Sequence, residues 1–92
     1  MYTKVIFGRE LKERVLQKQP VTEIGIWAYE IFLEYNGILD DNFLNMLITL
    51  NTMELGQEFA FSYTMLNTLA DDLIAGKEID YMLNEYRQSD LP

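Results

Sequence analysis

The stretch that decides the fold is residues 24–35, IGIWAYEIFLEY. Nine of its twelve residues are apolar or aromatic, and only two glutamates carry charge. A helix of this composition has to be covered by neighbouring elements on most of its sides. Pro20 before the stretch suits a helix start, and Gly37 after it suits a left-handed helix stop. The sequence therefore predicts a central helix from Val21 to Tyr35.

One narrow side of this helix is acidic. At 100° per residue, Glu23, Glu30 and Glu34 fall within roughly 40° of one another, and Trp27 lies beside them. We expect this ridge to face water. Its functional interpretation is a docking surface, because tryptophan is a favoured interface anchor and carboxylates around it would attract a basic partner. The structural alternative is the exposed edge of a core helix, with Trp27 lying over a neighbour.

Length and composition predict one domain, residues 1–92, with enough apolar side chains (49%) to form a core. The sequence contains no cysteine, which excludes a disulfide framework and a thiolate zinc site and gives no reason to expect secretion. The N-terminal sequence becomes charged too early for a signal peptide, and no apolar run approaches the roughly 20 residues of a membrane helix. We therefore expect a soluble cytoplasmic protein.

The charge is strongly acidic and unevenly distributed. The net charge of −8 opposes binding to nucleic-acid phosphates and to anionic lipid, so we expect neither a nucleic-acid partner nor a membrane surface. Residues 1–18 carry five cations and two carboxylates, whereas residues 19–92 carry two cations and thirteen carboxylates. A long acidic surface beside a short basic one is expected.

Helical spacing of the apolar residues predicts an all-α fold, a compact bundle of four to five short antiparallel helices. The predicted helices run from about Arg9 to Lys18, Val21 to Tyr35, Asn42 to Glu54, Tyr63 to Ala75, and Glu78 to about Arg87. Residues 2–7 either extend the first helix or run alongside the bundle, and residues 88–92 are expected to fray. Asp40 or Asp41 offers an acidic N-cap for the third helix, and Ser62 one for the fourth.

The third helix is unusual because no charged residue stands between Asn42 and Met53. Its apolar members leave only an arc of uncharged polar residues, Asn45, Thr49 and Thr52. Such a helix is either central in the monomer or partly covered by another chain.

Catalytic groups are scarce. Without histidine the chain lacks the commonest general base and the commonest metal ligand. Ser62 is better explained as a cap, and Ser89 lies in the C-terminal tail. The carboxylate pairs at 40–41 and 71–72 cannot each chelate a metal alone, because adjacent helical residues point about 100° apart. We predict no catalytic site, no metal site and no cofactor, and therefore no enzyme.

A second acidic group, formed by Asp71, Asp72, Glu78 and Asp80, is a weaker candidate for partner binding. Charge alone at such positions is usually a solvated face. The small size and acidic composition of the chain are also typical of acyl carrier proteins. Such a carrier needs a serine at the start of its second major helix, and residues 40–44, DDNFL, contain none. That interpretation survives only for a relative that has lost the carrier function.

Residues 39–79 resemble the small bacterial immunity proteins of toxin systems such as colicins and contact-dependent inhibition. The residues that carry the likeness are Trp27 and Ala28 together with residues 40–44, 53–59 and 69–74. The resemblance implies a non-enzymatic inhibitor that binds a cognate toxin domain and occludes its active site or substrate path. Many such toxins are basic nucleases, so an acidic inhibitor places carboxylates where phosphates would lie.

The leading hypothesis is therefore an immunity protein that neutralises a basic toxin domain by steric and electrostatic occlusion. The alternative is a non-enzymatic bacterial or phage adaptor that forms a homodimer through the third helix. The predicted partner-binding residues are Glu23, Trp27, Glu30, Glu34, Asp71, Asp72, Glu78 and Asp80.

Overall fold

A computed structural model of the chain describes residues 1–88. The five α-helices are α1 (Lys4–Leu16), α2 (Val21–Tyr35), α3 (Asp41–Asn51), α4 (Tyr63–Ile74) and α5 (Asn84–Gln88). Two short 3₁₀ turns, Thr52–Leu55 and Gln57–Phe59, connect α3 to α4. The structure confirms the predicted all-α bundle, and residues 1–88 contain no strand. None of the described helices is long and apolar enough to cross a membrane.

α1 and α4 pack closely because α1 carries a glycine at the contact. A Cβ atom added to Gly8 would lie 2.9 Å from Leu73 Cβ and 3.0 Å from the carbonyl oxygen of Ala70. Phe7, Leu11 and other apolar side chains of α1 are buried on the same side. The two helices therefore form one layer of the bundle, in which the backbones approach at a position where any side chain would collide.

α2 and α3 form the other layer in a similar way. A Cβ atom added to Gly25 would lie 3.0 Å from the carbonyl oxygen of Leu50. The side-chain amide of Asn51 donates a hydrogen bond of 3.0 Å to the carbonyl oxygen of Gly25, which joins the end of α3 to α2. Five of the eleven α3 residues are buried, so this helix, whose one charged residue is Asp41 in its first turn, is central in the monomer.

Aromatic rings join the two layers. Phe7 of α1 stacks on Trp27 of α2 with ring centroids 4.7 Å apart, and meets Phe43 of α3 edge to face at 5.7 Å. Tyr2, just before α1, stacks on Tyr35 at the end of α2 with a centroid separation of 4.7 Å. These contacts hold α1 against α2 and α3, and the hydrophobic core continues from them toward α4.

Several predicted helix bounds were accurate because local capping determines them. α2 has the predicted bounds. Asp40 caps α3 by accepting from Phe43 N at 2.8 Å, and Ser62 caps α4 by accepting from Met65 N at 3.1 Å. α4 ends one residue before the predicted Ala75, which is its C-cap.

Other bounds differ from the predicted ones. α1 begins at Lys4, since Thr3 caps it and its first turn continues the same apolar side. Residues 4–7 therefore extend the first helix, which was one of the two predicted alternatives, and α1 ends at Leu16 instead of Lys18. α3 ends at Asn51 and continues as a 3₁₀ turn instead of reaching Glu54.

The fifth helix differs most from its prediction. The sequence predicts it from Glu78, but residues 77–83 form a non-helical connection with a turn at residues 81–82, and α5 spans only Asn84–Gln88. Leu83 has a left-handed backbone (φ 58°), which interrupts any helix between Glu78 and α5. Ile79 and Leu83 are nevertheless buried, so this connection supplies core contacts that helical spacing had assigned to a helix. The predicted frayed tail falls outside the described residues, except for Gln88.

Candidate partner-binding surface

The outer side of α2 carries an acidic stripe, Glu23, Glu30 and Glu34. All three side chains are exposed, as predicted. Among the side chains that the structure describes, the ion pairs are Lys12 with Asp71 and Lys77 with Asp72, so no cation neutralises this stripe. The carboxylates are therefore available to a partner that brings its own positive charge.

Trp27 does not belong to this surface, and the prediction that it faces water is wrong. Only 8% of its surface is exposed. Its ring lies between the ring of Phe7 and the guanidinium of Arg14, whose Cζ lies 4.2 Å from the ring centroid. Gln19 holds the guanidinium there by accepting a hydrogen bond of 3.0 Å from Arg14 Nη1. Helical periodicity within α2 could not reveal this cover, because the covering residues belong to α1 and to the turn after it.

An apolar stripe, Ile26, Tyr29 and Leu33, runs beside the acidic stripe on the same side of α2. These side chains are 46%, 39% and 58% exposed, and their spacing of i, i+3 and i+7 places them in one row. The apolar residues of α2 were predicted to be covered, so this stripe was not expected, although its helical spacing is visible in the sequence.

The negative charge is concentrated at the C-terminal end of α2. Its last turn contains Glu34 and no basic residue, although the helix dipole disfavours a carboxylate at this end. Desolvation raises the pKa of the Tyr35 hydroxyl above its usual range, and its hydrogen bond to Glu34 and the charges of Glu34 and Glu10 raise it further. The Tyr2 hydroxyl donates to Glu10 Oε1 at 2.6 Å, which places a fourth carboxylate close to this end of the stripe.

The second predicted acidic group is divided in the structure. Asp71 forms an ion pair with Lys12, which ties α4 to α1. Asp72 pairs with Lys77 at 3.2 Å and accepts a hydrogen bond of 2.5 Å from the Tyr86 hydroxyl. These two carboxylates thus link parts of the bundle to one another.

Glu78 and Asp80, the other members of that group, are exposed in the connection after α4. They line an open cavity of about 570 Å³ together with Lys4 and Asn42. A cation therefore lies beside each half of the second acidic group, whereas no carboxylate of the acidic stripe forms an ion pair among the described side chains.

An apolar groove lies on another side of the molecule. It is an open cavity of about 460 Å³, and its large apolar members are Ile48 of α3, Phe59 of the second 3₁₀ turn, and Tyr81 and Met82 before α5. The exposed polar edge of α3 borders it. At this groove Ile48, an apolar residue of α3, is exposed to solvent.

Among the described residues, no three carboxylates converge at a point where they could hold a metal ion. Asp40, one member of a candidate carboxylate pair, is engaged as the N-cap of α3. What the surface of α2 can do is bind, through charge and apolar contact.

Comparison of the chain with protein-family models, with curated proteins and with solved structures found no match. The function is therefore inferred from the geometry and charge of the molecule itself.

Proposed function

We propose that this protein is a bacterial immunity protein that binds a basic toxin domain in the cytoplasm and neutralises it without catalysis. The observation that supports the proposal best is the acidic stripe of α2, whose three exposed carboxylates form no ion pair among the described side chains. Carboxylates of this kind attract a basic surface over several ångströms and accelerate its association. A domain of this size, once bound, would cover a substrate path sterically.

The charge distribution also supports a protein partner over other acidic-protein functions. Two other carboxylates, Asp71 and Asp72 of α4, are engaged in holding the bundle together. The stripe on α2 forms no such link, and at its C-terminal end it costs stability through the helix dipole. Groups that reduce stability are often retained for binding.

The decisive experiment starts from the neighbouring reading frames. A large secreted protein ending in a short basic domain should be encoded beside this chain, and co-expression should protect cells from that domain. Charge reversal by Glu30→Lys with Glu34→Lys should weaken binding and make the remaining affinity less sensitive to salt, because fewer attractive charge pairs are left to screen. Glu13→Lys with Glu58→Lys, an equal change of net charge at exposed sites outside α2, is the control. If the toxin domain kills cells regardless of this protein, the proposed function is wrong.

A second candidate function is a homodimeric adaptor, and the apolar groove is the observation that favours it. Like charges repel across an interface between two acidic copies, and this groove is lined by one carboxylate, Glu58, while Ile48 and its other lining residues are apolar or uncharged. Sedimentation equilibrium tests it directly. A dimer that Ile48→Lys dissociates supports the adaptor, and a monomer at the highest attainable concentration removes it.

A further inference from the structure

The exposed side of α2 combines two chemically different rows. The apolar stripe covers seven residue steps, about 10 Å along the helix, and the acidic stripe covers eleven steps, about 16 Å. At 100° per residue the rows lie next to each other, with Ile26 and Leu33 nearest to Glu30. A surface of this kind distinguishes partners by position, because apolar and charged groups must both lie at the right places.

Charge decides which partner fits. A second copy of the chain packed through this side of α2 would bring six carboxylates together, and repulsion between like charges opposes that arrangement. Nucleic acid and anionic lipid are excluded by the same sign of charge. A cationic surface without apolar groups would leave Ile26, Tyr29 and Leu33 uncovered. The complementary partner has both an apolar row and a basic row.

We infer that the outer side of α2 is a docking surface for a cationic amphipathic helix. The partner helix lays its apolar row on Ile26, Tyr29 and Leu33, and its lysines or arginines meet the acidic stripe. Helix-on-helix contact of this type uses residues spaced i, i+3, i+4 and i+7, and the apolar stripe supplies three of these four positions, i, i+3 and i+7. This inference rests on the proposed function in one respect, since it specifies which part of a basic toxin domain would be bound.

The C-terminal end of α2 supplies a further reason for a cation at this place. Glu34 lies in the last turn, where the partial negative charge of the helix dipole adds to its own and to that of nearby Glu10. A lysine or arginine from a partner would neutralise charge that the chain itself leaves unopposed. This places the docked helix along α2, because its most basic turn should lie next to the C-terminal end of α2.

The test uses a synthetic peptide of about 18 residues, five helical turns, built from leucine, alanine and lysine with one apolar and one adjacent basic row. Two control peptides have the same composition in a shuffled order, or glutamate in place of lysine. Fluorescence anisotropy of labelled peptide measures affinity, and amide chemical shifts identify the residues contacted. We expect the ordered cationic peptide to bind at least about tenfold more tightly than either control, with shifts confined to α2.

Variants assign the contributions of the two rows. The double variant Ile26→Ser with Leu33→Ser should bind the ordered peptide about tenfold more weakly than wild type. The double variant Glu30→Gln with Glu34→Gln should show a loss of affinity of the same size. Leu16→Ser, which changes a 70% exposed leucine on α1, should leave affinity unchanged and serves as the control. All substituted positions are exposed, so circular dichroism should show an intact fold.

The outcomes separate the inference from the proposed function. The docking surface is overturned if the shuffled peptide binds as tightly as the ordered peptide. It is also overturned if the ordered peptide binds the Ile26 and Leu33 double variant as tightly as it binds wild type. If a cognate toxin domain binds both wild type and that double variant equally, the function stands and the docking surface is wrong. If the peptide behaves as expected but no neighbouring toxin exists, the docking surface stands and the proposed function is wrong.

Discussion

Replacing Trp27 by alanine tests the register of α2, because the neighbouring residue Ile26 provides a matched control. Trp27 is 8% exposed and lies between Phe7 and Arg14, whereas Ile26, one residue away, is 46% exposed. A step of 100° thus separates a core residue from a surface residue. The two substitutions should have very different effects on the free energy of unfolding.

The magnitude follows from burial. Removing a buried tryptophan side chain costs about 3–5 kcal/mol, through lost apolar contact and the cavity left behind. The lost contact between the ring and the Arg14 guanidinium adds to this free-energy cost. Arg14 Nε is buried and has no hydrogen-bond partner among the described residues, so the guanidinium depends on the ring for part of its contacts. A chain of 92 residues has a total stability of about 5–14 kcal/mol, so Trp27→Ala should remove a large part of it. Ile26→Ala should stay within about 0.5 kcal/mol.

The assay is urea denaturation followed by far-ultraviolet circular dichroism. Tryptophan fluorescence cannot be compared between the variants, because Trp27 is the only tryptophan in the chain. Linear extrapolation of both transitions gives the two differences in unfolding free energy. If Trp27→Ala costs less than about 1 kcal/mol and matches Ile26→Ala, Trp27 is not a core residue and the structure of this region is wrong.

Three further predictions concern packing, pH and charge. Gly8→Ala should destabilise the protein by about 1–3 kcal/mol in the same assay, because the new Cβ would lie 2.9 Å from Leu73 Cβ. This cost should exceed the gain from the higher helix propensity of alanine. A stabilised variant would contradict the close packing of α1 and α4. Tyr86→Phe should cost about 1 kcal/mol at neutral pH, since it removes the hydrogen bond to Asp72. Burial, that bond and the Asp72 charge raise the pKa of Tyr86 above its unfolded value of about 10, so this contribution is complete below pH 10 and is lost as pH rises further. Urea titrations between neutral pH and strongly alkaline pH should therefore show a shallower loss of stability in Tyr86→Phe than in wild type, and identical slopes count against the prediction. Glu34→Lys should stabilise α2 by about 0.5–1 kcal/mol, because a lysine suits the helix dipole at this end and can pair with Glu30. The same substitution should weaken binding of the cationic peptide. A variant that loses both stability and affinity indicates a structural role for Glu34 instead.

What the sequence could predict was the part of the fold that depends on local signals. The bounds of α2 and the caps at Asp40 and Ser62 follow from residues within a few positions of each helix end. The amphipathic spacing of α4 identified its buried side for the same reason. Neighbouring residues along the chain determine these features, so a sequence contains all that is needed to find them.

Features that depend on another element were missed. Arg14 covers Trp27 from α1, and nothing in the spacing of α2 indicates it. The burial of Ile79 and Leu83 produced a helical pattern, although a left-handed residue places them in the core from a non-helical connection. Asp71 and Asp72 were grouped with exposed acids by charge, but their partners lie elsewhere in the fold.

The glycine at position 25 has a consequence for how freely the surface of α2 can change. Because α3 lies directly against Gly25, α2 is fixed from its inner side, by backbone contact and by the hydrogen bond from Asn51. The outward positions 26, 29, 30, 33 and 34 contribute little to that attachment. A chain built in this way can acquire a new binding specificity through a few outward substitutions while its core, its helix spacing and its folding remain as they were.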